Sequence, residues 1–174
     1  FKIYLLWKNL FNKKKDSHQI KISKEGKGVR SILFFLPEKI QDAKIVNYLV
    51  KVENPLPGYD IGLVCSEKSK IFYPHIENVK LFTFNDEDLN YFNTIKSVSF
   101  MDQISSKSYD AIVDLNTGFC AATTMLAFEL NAPLKIGFDS IVNRKIFTIT
   151  LERKENTFLE SYFSRILSLL GAKL

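Results

Sequence analysis

The sequence predicts an α/β fold, an open and mostly parallel sheet with helices on its faces. Three observations carry that expectation. Ile32-Leu33-Phe34-Phe35-Leu36 is an unbroken apolar run closed by Pro37, the pattern of a strand buried on both faces. From Lys39 to Val50 the apolar residues Ile40, Ala43, Val46, Tyr48, Leu49 and Val50 can cover a sheet from one side of a helix. A second apolar run, Ile61-Gly62-Leu63-Val64-Cys65, follows the turn Pro55-Leu56-Pro57-Gly58. Such a strand–helix–strand unit is right-handed with parallel strands in nearly all cases, and ligands of these sheets bind beyond the C-terminal strand ends. Asp42, near the start of the first helix, lies at that edge. Its position alone suggests chemistry.

The remaining elements follow in order. A third strand is expected over residues 79–84, and Asn85-Asp86-Glu87-Asp88 makes a turn and helix start whose acids suit a helix N-terminus. Residues 89–104 carry a helical apolar pattern. Tyr109-Asp110-Ala111-Ile112-Val113-Asp114-Leu115 is the fourth strand, Asn116-Thr117-Gly118 the turn after it, and residues 119–130 an Ala/Met/Leu-rich helix. Asn131-Ala132-Pro133 ends that helix before a fifth strand over residues 134–138. Residues 145–151 alternate in the manner of an edge strand. Residues 158–170 form an amphipathic last helix with Gly171 at its C-terminal cap.

Length and composition fit one soluble globular domain: 174 residues, 46% hydrophobic, 25% charged and 13% aromatic. The charge is unevenly placed. Residues 1–30 hold nine lysines and arginines against two acids, a surplus larger than the net +5 of the whole chain, so the rest is slightly acidic. Basicity therefore belongs to an N-terminal arm, and a nucleic-acid-binding globular face is not expected. Cys65 and Cys120, placed in a strand and a helix, read as buried thiols of a reducing compartment, with no disulfide framework. With only His18 and His75 beside them, no metal-ligand spacing exists. His75, beside a proline in a connection, reads as structural or solvent-facing. No dinucleotide-binding glycine motif, phosphate loop or nucleophile elbow is present, and no cofactor is expected.

The chain divides into three parts: residues 1–15 as a basic amphipathic helix, 16–30 as a polar linker, and 31–174 as the domain. Ile3, Leu6, Trp7, Leu10 and Phe11 share one helical face, and Lys13, Lys14 and Lys15 follow. Eleven residues cannot span a bilayer, and no small-residue cleavage site marks a signal peptide. Trp7, Phe11 and the three lysines suit a helix lying on an anionic membrane surface. Packing on this domain or on a protein partner explains the same stripe, and both readings stay open. The oligomeric state is not set by the sequence.

Residues 32–49 resemble the opening of the heptosyltransferases of glycosyltransferase family 9. Tyr109-Asp110-Ala111-Ile112-Val113-Asp114-Leu115 and Ala132-Pro133-Leu134-Lys135-Ile136-Gly137-Phe138-Asp139 resemble two further phrases of that family, in the same order. Pro74-His75-Ile76-Glu77-Asn78-Val79 is similar to the segment ahead of its third strand, and residues 158–171 to its linking helix. The resemblance implies a Rossmann-like domain, the acceptor-side N-terminal half of a GT-B glycosyltransferase, in the cytoplasm or peripheral at the inner face of a bacterial membrane. On this resemblance Asp42 falls on the family's proposed general base, and Asn116, Thr117 and Gly118 line the acceptor side. Gln41 stands where the family has a glycine, and Cys120 where members often carry a basic residue. The chain stops at Leu174, short of a donor-binding half. The expectation is therefore a non-catalytic, membrane- or complex-associated binding domain. The alternative is the acceptor-binding half of an active enzyme of lipopolysaccharide synthesis, transferring a sugar to a cell-envelope glycolipid.

Overall fold

The structure, a computed structural model, describes residues 28–51, 58–73, 79–153 and 158–171, with the side chains of 48–51 excepted. Strands β1 (Ser31–Phe35), β2 (Asp60–Ser66), β3 (Lys80–Phe84), β4 (Ala111–Asp114), β5 (Leu134–Phe138) and β6 (Ile149–Leu151) form one sheet in the order β3-β2-β1-β4-β5-β6. Every pairing is parallel. The α/β, Rossmann-like open sheet is thus present. The strand order reverses between β1 and β4, which makes the gap beyond their C-terminal ends the switch point of the topology.

Alternation along β1 divides the core into two layers. Ile32, Phe34 and Leu36 join a cluster completed by Ala43 and Val46 of α1 (Ile40–Lys51) and by Leu159, Tyr162, Phe163 and Ile166 of α4 (Leu159–Leu169). Leu33 and Phe35 join a second cluster, closed by Phe100 and Ile104 of α2 (Val98–Ser105) and by Ala122, Leu126 and Ala127 of α3 (Ala121–Glu129). A strand covered on both faces has no polar side to show, which is why residues 32–36 are continuously apolar. Gly137 on β5 lets the Phe147 ring lie close against the strand, since a Cβ there would stand 3.0 Å from that ring. Gly171 ends α4 with φ +78°, a left-handed cap that glycine takes without steric cost.

Three expected elements are revised. The helix over residues 89–104 is confined to Val98–Ser105, started by the Ser97 hydroxyl, which accepts from the Phe100 amide. Ahead of it Leu89 bridges Ile95 in antiparallel fashion around a turn held by Asn90. The Asn90 side-chain oxygen accepts from the amides of Phe92 and Thr94, and its amide donates to the Thr94 hydroxyl. Asn93 takes φ +55°. A short amide side chain offering local bonds outcompetes the helix there. The strand over residues 145–151 is shortened to Ile149–Leu151, because Asn143–Lys145 form a 3-10 turn. The Asn143 amide anchors that turn to the Phe138 carbonyl at 2.8 Å. Cys120 precedes α3 at its N-cap position instead of lying within the helix.

Residues 1–27 lie outside the described residues, so the expected membrane-binding side chains Trp7, Phe11, Lys13, Lys14 and Lys15 do too, as does His75. Among the described residues no helix is long and apolar enough to cross a membrane.

Candidate functional site at the switch point

Two loops meet beyond the C-terminal ends of β1 and β4. The first, Leu36 to Lys39, leaves β1 with Leu36 and Pro37 still buried. The Leu36 amide continues the ladder to the Val64 carbonyl at 2.8 Å, and the Tyr73 phenol donates to the Pro37 carbonyl at 2.8 Å. Burial pushes that phenol well above its ordinary range, so it stays protonated and remains a donor. α1 then begins at Ile40, and Asp42 falls in its first turn, where a carboxylate is favoured by the helix dipole. Glu38 lies ahead of the helix and does not share its face with Asp42.

The second loop runs from Leu115 to Cys120 and is organised by Asp114. This carboxylate is 3% exposed at the end of β4. Its Oδ1 accepts from the Asn116 backbone amide at 3.0 Å and the Asn116 side-chain amide at 2.8 Å, and its Oδ2 accepts from the Thr123 hydroxyl at 2.9 Å. Desolvation outweighs those bonds and pushes the carboxyl up to about 6, with the Glu38 charge adding to the rise. Asn116 then ties the loops together. Its Oδ1 accepts from the Glu38 amide at 3.3 Å, and its Nδ2 reaches the Leu36 carbonyl at 3.5 Å.

The contact that closes the junction is between the two candidate side chains. The Thr117 hydroxyl donates to Asp42 Oδ2 at 2.5 Å, a short bond to a carboxylate only 8% exposed. Gly118 lies beneath Lys39, where a Cβ would come within 3.3 Å of the ammonium. The fold thus brings Asp42, Asn116, Thr117 and Gly118, four residues separated by up to 76 positions in sequence, into one junction. Asn116 is a buried strut, Thr117 is half-buried, and Gly118 is exposed.

Other groups at this edge are chemically quiet. Burial pushes the Cys65 and Cys120 thiols up to about 11 each, so neither is a thiolate at neutral pH. The Glu38 carboxyl is raised by desolvation against the loops, with Lys68 pulling the other way. Among the described residues no group of three or more His, Cys, Asp or Glu side chains could hold a metal ion. Asp114 and Tyr73, the groups that shape the site, were not singled out from sequence. Asp114-Leu115-Asn116 carried a usable signal, since an aspartate two residues before a turn amide commonly caps it.

A model for a family of unknown function, DUF6913, matches residues 3–170. The chain belongs to that family. No curated protein matches the sequence. Two solved structures share the fold of this DUF6913 domain. One is the E. coli heptosyltransferase WaaC with ADP, at 14% identity and TM-score 0.59, matched over 82% of this chain and 48% of the enzyme. Another is a family 9 glycosyltransferase from Veillonella parvula, at 17% identity and TM-score 0.61, over 83% of this chain and 42% of the enzyme. The chain therefore spans less than half the length of either enzyme. At these identities the likeness is one of fold: the DUF6913 domain is similar to one Rossmann-like part of a glycosyltransferase.

Proposed function

We propose that this domain is a heptosyltransferase-like, acceptor-side lobe that serves as a binding module and does not itself transfer sugar. The observation that carries this reading is the Asp42–Thr117 bond. A general base must offer a free lone pair within reach of the substrate hydroxyl. Here the carboxylate is only 8% exposed and its Oδ2 is spent on the Thr117 hydroxyl of the neighbouring loop, so burial limits the reach of its remaining lone pairs and Asp42 acts as a clasp across the switch point. Gln41 adds bulk where a glycine would let a ligand approach the backbone.

Calorimetry and turnover assays on the full chain with nucleotide-sugar donors test the idea. No heat of donor binding and no hydrolysis above buffer are expected, for the native chain and for Asp42→Asn alike. The competing reading, in which Asp42 is the base of an active transferase acting on a cell-envelope glycolipid, is favoured by its place at the switch point. Turnover that disappears in Asp42→Asn would establish that reading and remove ours.

Residues 1–15 complete the proposal as an anchor to an anionic membrane surface at its cytoplasmic side, a protein partner being the other candidate. Vesicles containing anionic lipid are expected to co-sediment the full chain, less so as salt is raised. A variant carrying Lys13→Glu, Lys14→Glu and Lys15→Glu should stay in the supernatant. Equal pelleting of both proteins would exclude the membrane role.

A further inference from the structure

We draw no further inference here: the strongest candidate, the surface patch of exposed Tyr91 and Phe92 at the turn between β3 and α2, is an apolar face with acids and bases alike in the segments around it, and nothing in the structure shows what covers it.

Discussion

Replacing Phe35 by alanine is expected to destabilise the domain by about 3–5 kcal/mol. Phe35 is fully buried on β1, which stands between β2 and β4 and borders the switch point, and it joins Val64, Phe84, Phe100 and Leu126 in the second core layer. The cost combines lost transfer free energy with a cavity bounded by a sheet and two helices, which limits collapse. A domain of this size commonly has only about 5–15 kcal/mol in total. At roughly 2–4 °C per kcal/mol, the midpoint should fall by about 10 °C. Tyr91→Ala is the control: that ring is 96% exposed and its loss should cost under about 0.5 kcal/mol. Thermal melts of the two variants decide the matter. A loss below about 1 kcal/mol for Phe35→Ala would mean that β1 is not buried on both faces.

How far the sequence disclosed this molecule depended on the range of the interactions concerned. The strands were legible because a fully buried parallel strand leaves a continuous apolar run, as residues 32–36 and 61–65 do. The order of the strands was not read from the sequence, since a right-handed crossover fixes the hand of a connection and leaves open which strands it makes neighbours. The segment from Leu89 to Ser97 misled, because its apolar residues have helical spacing while Asn90 and Asn93 supply turn bonds that periodicity does not register. The 3-10 turn at Asn143–Lys145 was hidden for the same reason.

At the junction, Asp42 was visible from its place beyond β1, and Asn116, Thr117 and Gly118 from the turn after β4. Their union was not visible. A hydrogen bond between residues 75 positions apart is a property of the sheet that brings the loops together. Asp114 escaped notice because it lies inside the run read as the fourth strand, and only the fold shows its carboxylate closed off from water.

That enclosure makes stability depend on pH in an unusual direction. The Asp114 carboxyl titrates at about 6 in the folded chain against 3.8 for the ordinary group. Between those values the folded state holds the proton that the unfolded state has lost. The Asp114 contribution therefore falls as pH rises from about 4 to about 6 and stays low above that. The full difference is on the order of 3 kcal/mol.

Asp114→Asn should remove this penalty. The asparagine oxygen can still accept from both Asn116 donors, and its amide can donate to the Thr123 hydroxyl. That hydroxyl already lies 3.5 Å from the Cys120 carbonyl and can turn its proton there. The variant is expected to match the native chain near pH 4 and to exceed it in stability at neutral pH. Asp114→Ala leaves the Asn116 backbone amide without its acceptor and the Asn116 and Thr123 side chains with only their long contacts at 3.5 Å, and should lose about 1–3 kcal/mol at neutral pH.

Melting curves of the three proteins from about pH 4 to about pH 8 separate the contributions, since Glu38 and other titrating groups are common to all. An asparagine variant as unstable as the alanine one at neutral pH would show that the charge itself holds the loop. In that case the network from Asp114 through Asn116 to Glu38 would rest on electrostatic attraction, and the junction would weaken in acid instead of in base.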